Sequence, residues 1–193
     1  MNAVLVGGVA ELLQGDLDVG RLAVERLAAE DLGPGVLVEE LSYGAVAVMQ
    51  RLEDLRPRAL VLVGAVDRGR VPGTVERRPI AVPARTADEV QTAVWGAVTG
   101  YVGVDLLVDV AAGFGALPSP TVAVEIEPAS AEPGADLTPP VRAALPRALE
   151  LVRAEVHAMQ RPPQSPADPA ARGAAGARRP GDPPPSPGPP RHP

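Results

Sequence analysis

Three aspartates, Asp16, Asp18 and Asp67, are the residues in this chain whose type and position could do chemistry. Asp16 and Asp18 follow the first apolar run and Asp67 follows the third. In an open α/β sheet the ends of such runs are where ligands bind. Carboxylate oxygens alone can hold a hard cation, so these three are candidate metal ligands. Each also has a structural reading. Asp16 or Asp18 can cap the helix that follows, and Asp67 precedes Arg68-Gly69 in a turn, where aspartate is favoured. Glu39 and Glu40 lie at the end of the second run. The only histidines are His157, near the end of the last helical pattern, and His192, close to the C-terminus, and there is no cysteine. Disulfides, thiol catalysis and cysteine metal sites are excluded, and no Ser/His/Asp arrangement can be assembled. No catalytic or cofactor-binding residue is assigned. Gly7-Gly8 fits neither the dinucleotide nor the Walker spacing and reads as a structural turn.

The elements that must position these residues follow a rhythm. Ala3 to Val9 is a short apolar run and a predicted buried strand. Asp16 to Asp31 has helical spacing and is stopped by Gly33-Pro34-Gly35. Val36 to Leu41 is a second strand, Gly44 to Leu55 a second helix, and Ala59 to Val66 a third strand, apolar on both faces as central parallel strands are. This β-α-β-α-β order predicts an α/β fold, a three-layer sandwich with a mostly parallel sheet of about five strands and helices on both faces. Val75 to Val82 alternates charged and apolar residues and suits an exposed edge strand. Thr86 to Gly113 is helical in pattern, interrupted by Gly96, Gly100 and Gly103. Thr121 to Glu127 alternates as another strand. Thr138 as N-cap and Pro139 at the first helical position open a last helix running to about Met159.

Of the 193 residues, 46% are hydrophobic but only 2% aromatic, so the core is built from Val, Leu and Ala. Residues 161–193 are different in kind. They hold 12 of the 24 prolines, with five arginines and two aspartates. That composition cannot bury enough surface to offset chain entropy. The domain division expected is therefore 1–160 as one α/β domain and 161–193 as a disordered Pro/Ala/Gly/Arg-rich tail. The tail carries about +3, which leaves about −9 of the formal −6 before it. An acidic domain does not suit nucleic acid. The opening MNAVLVGGVAELL has neither a basic flank nor the length for a signal or membrane span, so the expectation is no membrane and a cytoplasmic setting.

Three segments together resemble the hydrogenase maturation protease family, endopeptidases that trim the C-terminus of the large subunit of nickel-iron hydrogenases. LVGGVAELLQGDLDVGRLAVERL (Leu5 to Leu27) resembles the family's opening strand, its Gly-x-Gly-Asn loop and its Asp-Asp/Glu pair. LVLVGAVDRGRVPGTV (Leu60 to Val75) resembles its apolar strand, Asp-Ala-Val and Pro-Gly-Thr turn. VAVEIEPASAEPGADLTPPVRAALPRALELV (Val122 to Val152) resembles its Glu-Pro strand end, Leu-Ser-Pro-x-Val helix start and Ala-Leu-Pro run.

The resemblance implies a five-stranded α/β sandwich and a metal-recognising site that reads nickel in the substrate. It marks that site by an acid after the first strand, an Asp ending the third, and a His before the last strand. On this sequence those positions fall on Leu17, on Gly64 and near Gly100, and the loop Asn falls on Glu11. The implied partners are a hydrogenase large subunit or a maturation protein. Two functions stay open at this point. One is a protein of hydrogenase maturation that is degenerate at the metal site and binds without cleaving. The other is an active endopeptidase with a relocated acidic site built from Asp16, Asp18 and Asp67. A diverged domain with no tie to hydrogenases is a third.

Overall fold

Right-handed crossovers between the parallel strands decide which helix lies on which face. In the computed structural model, which describes residues 3–81, 86–97, 102–134 and 136–161, β1 (Val4–Val9), β2 (Val36–Glu40), β3 (Ala59–Ala65), β4 (Val75–Ile80) and β5 (Thr121–Ile126) form one sheet in the order β2-β1-β3-β5-β4. The first three and β5 are parallel, and β4 runs antiparallel to β5 at the edge. Val4 and Val6, Val61 and Val63, and Val124 and Ile126 pack with α1 (Val19–Ala28) and α5 (Pro139–Gln160). Leu5, Leu60, Leu62 and Ala123 point the other way, against α2 (Ala45–Leu55) and α4 (Val104–Gly113). The period-two alternation thus builds the three layers the sequence predicts.

Local details differ from the sequence reading, each for a physical reason. Gly7 and Gly8 are not a turn: they sit inside β1, which runs to Val9. A Cβ on Gly8 would lie 2.3 Å from the Gly20 carbonyl oxygen, and one on Gly20 would lie 2.0 Å from the Val9 oxygen. The two glycines let α1 lie directly on β1. The first helix begins as a separate 3-10 turn, Gly15–Asp18, and ends at Ala28. Asp31 belongs to the turn beyond it, where its Oδ1 accepts a hydrogen bond from Gly33 N at 2.9 Å. Thr86 to Gly113 holds two helices, α3 (Ala87–Ala97) and α4, rather than one interrupted pattern. Gly100 and its neighbours 98–101 lie outside the described residues, as do Val82 and the tail from 162.

Thr138 is the N-cap of α5 and Pro139 lies in its first turn, as expected. No helix among the described residues is long and apolar enough to cross a membrane.

Candidate functional site

The C-terminal ends of β1 and β3, the start of α4 and the loop after β5 enclose a cleft of about 750 Å³. Its lining includes Leu17, Val66, Val104 and Leu106 as apolar surface and Glu11, Asp67, Asp105 and Asp109 as acids. This is the end of the sheet at which α/β proteins bind ligands.

Of the three candidate aspartates, only Asp67 reaches the cleft wall. It is exposed, and its Oδ1 accepts a hydrogen bond from Gly69 N at 3.0 Å, closing an Asx turn. Asp18 is buried and makes no helix cap; both its oxygens accept from Arg21, at 2.9 Å from Nε and 2.5 Å from Nη2. Asp16 is fully buried and caps neither helix by its side chain. Its Oδ1 accepts from Thr138 N at 2.7 Å, and its Oδ2 from Ala129 N, Ser130 N and Thr138 Oγ1 at 2.9, 3.2 and 2.8 Å. All four of these donors lie between β5 and the start of α5, and Ala129 and Ser130 of that loop line the cleft. Asp16 therefore fixes a wall of the cleft from behind.

The positions that the resemblance marks are occupied differently. Leu17 lines the cleft. Gly64 sits in β3 between Val9 of β1 and Glu125 of β5. A Cβ there would lie 2.7 Å from the Val9 carbonyl oxygen and 3.1 Å from Val104 Cγ2. Neighbouring strand and helix have closed over the place where an aspartate would stand. Among the described residues no group of three or more His, Cys, Asp or Glu could hold a metal ion. The residues present do not fit a metal of the kind the resemblance implies. His157 is exposed on α5 and Glu39 is tied to Arg51.

Beside Gly64 lies a lattice of charge that local sequence patterns do not reveal. Glu125, 1% exposed, accepts from Arg68 Nη2 at 2.8 Å, Arg78 Nε at 2.5 Å and Arg70 Nη2 at 3.2 Å. Arg68 and Arg78 also donate to Asp105 Oδ1, each at 2.8 Å. Glu127 accepts from Arg68 N and from Arg70 Nε. Glu76, directly opposite Glu125 across the β4–β5 ladder, accepts from Arg70 Nη1 at 2.8 Å. Like charges in that relation repel, and Arg70 neutralises them. Burial alone would push the Glu125 carboxyl up, but the hydrogen bonds from Arg68 and Arg78 outweigh it and hold it below its ordinary 4.5. Glu127 is likewise held low, its burial outweighed by Arg70 and the backbone of Arg68 and Arg70. The hydrogen bond to Glu125 leads in raising Arg68. The lattice ties the loop after β3 and the first turn of α4 to β5, and so fixes the two walls that carry Asp67 and Asp105.

The rim holds a further feature. Leu12 and Leu13 are 59% and 65% exposed. Leu13 has φ of 60°, a conformation a leucine rarely adopts. It is held there because Gly134 N donates to Leu13 O and Gly15 N donates to Gly134 O, each at 2.8 Å. The fold holds two leucines in water next to Glu11 and Gln14 of the cleft. The double leucine before Gln14-Gly15, apolar where a loop should be polar, was the available signal.

No protein-family model and no curated protein matches this sequence. Solved structures do. The chain is similar to a hydrogenase maturating endopeptidase, HybD, from Escherichia coli, at 25% identity over 82% of this chain and 94% of that one, with a TM-score of 0.59. It is similar to an endopeptidase from the same organism at 26% identity over 82% and 94%, with a TM-score of 0.60. A hydrogenase 2 maturation peptidase from Thaumarchaeota archaeon SCGC_AB-539-E09 matches at 25% identity over 80% and 97%, with a TM-score of 0.57. The chain thus resembles the hydrogenase maturation proteases across about four-fifths of its length.

Proposed function

We propose that this protein acts in nickel-iron hydrogenase maturation by holding the C-terminal region of a large subunit in its cleft without cleaving it. The reading rests on the likeness to maturation endopeptidases together with one observation. Leu17 faces the cleft, and Gly64 is sealed by Val9 and Val104, at the two positions where the resemblance implies metal-reading acids. Peptide hydrolysis needs a group that activates water or a nucleophile and a means of stabilising the charge that develops. The acids of a relocated site do not converge: Asp16 is held by three backbone N–H groups and the Thr138 hydroxyl, Asp18 by Arg21, and of the three only Asp67 reaches the cleft. The cleft keeps what binding needs, a concave surface with apolar walls and polar points.

The test is to mix the purified protein with a nickel-loaded large-subunit precursor that keeps its C-terminal extension. Co-elution with the precursor at unchanged mass is expected. A precursor shortened at its C-terminus, or no complex at all, overturns the proposal.

A further inference from the structure

The free edge of β2 is built differently from the free edge of β4. At one end of the β1–β2 ladder Val4 N donates to Gly35 O at 2.9 Å, and at the other Leu41 N donates to Gly8 O at 2.8 Å. Along a parallel strand alternate residues turn both main-chain groups to the same neighbour. Gly35, Leu37, Glu39 and Leu41 therefore face β1. Val36, Val38 and Glu40 turn N–H and C=O outward at the end of the sheet, where among the described residues no strand pairs with them. No proline or bulge interrupts β2, whereas Pro79 and the charges of Glu76, Arg77 and Arg78 guard the edge at β4. Three outward pairs in an unbroken strand set the backbone of whatever covers them: it is extended and adds one strand to the sheet. They do not choose its side chains.

What flanks the edge chooses them. Val36 and Val38 pack toward α1, and Leu37 toward α2. On the α1 side two shallow hollows of about 280 and 290 Å³ follow one another along β2 and share Ala28 and Val38. The hollow toward the C-terminal end of β2 holds Glu25 and the exposed Glu40. Arg21 lies beside them but is taken up by buried Asp18 as well as by Glu25. The hollow toward the N-terminal end holds Glu30 and Asp31, with Arg153 bonded to Glu30. Asp18, Glu25 and Glu40 against Arg21 leave two negative charges at one end, and Glu30 and Asp31 against Arg153 leave one at the other. A second copy of this edge would meet it with like charge, whereas cations are attracted to both ends.

We propose that the edge binds an extended segment of a partner protein that carries two basic side chains four residues apart with a small apolar one midway, all three on the face toward α1. Residues i, i+2 and i+4 of a strand share a face and span roughly 13 Å, the same spacing as Val36, Val38 and Glu40. The two basic residues then meet Glu30 with Asp31 and Glu25 with Glu40, and the middle residue meets Ala28 and Val38. The pattern reads the same in both directions, so it fits parallel and antiparallel pairing. The main-chain groups hold the segment, and the acids select it against an acidic one.

The probe is a capped peptide, Thr-Arg-Thr-Val-Thr-Arg-Thr, titrated into the full chain and followed by backbone amide NMR. The amides of Val36, Val38 and Glu40 should shift saturably, while those of Leu37 and Glu39, which face β1, move less. The same peptide with Glu in place of both Arg should not bind. Glu40→Arg should weaken the arginine peptide by about fivefold, and exchanging one or the other of its arginines for glutamate should restore binding to that variant. Val38→Pro removes an outward N–H that no described strand uses, so it should keep its circular dichroism spectrum and lose the peptide. The proposal is overturned by an arginine peptide that fails to bind, by a glutamate peptide that binds as well, or by binding that survives Val38→Pro or leaves the three outward amides unmoved. It is overturned equally by a wild type that sediments as a dimer with those amides protected before any peptide is added, since a second copy then holds the edge. None of these outcomes depends on whether the cleft holds a large subunit.

Discussion

Asp16 and Thr138 stand 122 positions apart in the chain and share two hydrogen bonds, from Thr138 N at 2.7 Å and from Thr138 Oγ1 at 2.8 Å. The N-cap of α5 is thus pinned to the 3-10 turn after β1, and the cleft wall at Ala129 and Ser130 is pinned by the same carboxylate. A buried carboxyl group that accepts from four donors is costly to remove, because those donors are left unpaired. Asp16→Ala should therefore destabilise the protein by at least about 1 to 3 kcal/mol, read as a fall in the urea midpoint without a change in slope. Asp16→Asn should cost less but still measurably, since its amide NH2 faces donors. A midpoint within error of wild type for Asp16→Ala would show that these bonds contribute nothing net.

Asp67 offers the cleaner functional test. It is exposed, and its bond to Gly69 N is one an asparagine side-chain oxygen also accepts. If the protein binds rather than cleaves, Asp67→Asn should hold large-subunit affinity within about threefold and leave hydrogenase processing in cells intact. A sharp loss of processing with unchanged melting temperature would assign Asp67 a chemical role and count against the binding reading.

The layering was legible because strands covered by helices on both faces read as continuous apolar runs. β1, β3 and β5 present apolar residues at both parities, and the charged alternation of Val75 to Ile80 marks an edge. The charge lattice was not, because it depends on partners far apart in sequence. Glu125 reads as the polar member of an alternating strand, yet the loop after β3 brings Arg68 and Arg70 to it and β4 brings Arg78, from 47 to 57 residues away. A glutamate in a strand this apolar needs a cation, and the Arg68-Gly69-Arg70 and Arg77-Arg78 pairs were the visible supply. The candidate aspartates failed to converge for the same reason: sequence places a residue after a strand, but only packing decides which way its oxygens point.

Gly64 makes a prediction about reversal. Because a Cβ there would press on the Val9 carbonyl and on Val104, Gly64→Ala should destabilise by about 1 to 3 kcal/mol. Val104→Ala should recover only the side-chain part of that cost, since the contact with the Val9 oxygen is to backbone. Gly64→Asp joined to Leu17→Glu should accordingly fail to create a nickel site, measured by calorimetry. Tight nickel binding by that double variant would show that the site had only lost its ligands and kept its space.

The lattice around Glu125 sets the response to acid. Glu125 and Glu127 have folded-state values below the ordinary 4.5. For such groups the unfolded chain binds protons first as pH falls. Their contribution is therefore fully present above about 4.5, declines as pH drops below it, and is gone once pH passes the folded values. Unfolding free energy measured in urea should be flat near neutral pH and fall steeply below about pH 4.5. Glu125→Gln should cost about 1 to 3 kcal/mol at neutral pH, because it leaves the partly exposed Arg68 and Arg78 with a weaker acceptor beside Asp105. The same variant should lose part of the acid slope, and the two curves should converge as pH falls. Parallel curves for wild type and Glu125→Gln would mean that the carboxylate at position 125 is not what acid titrates.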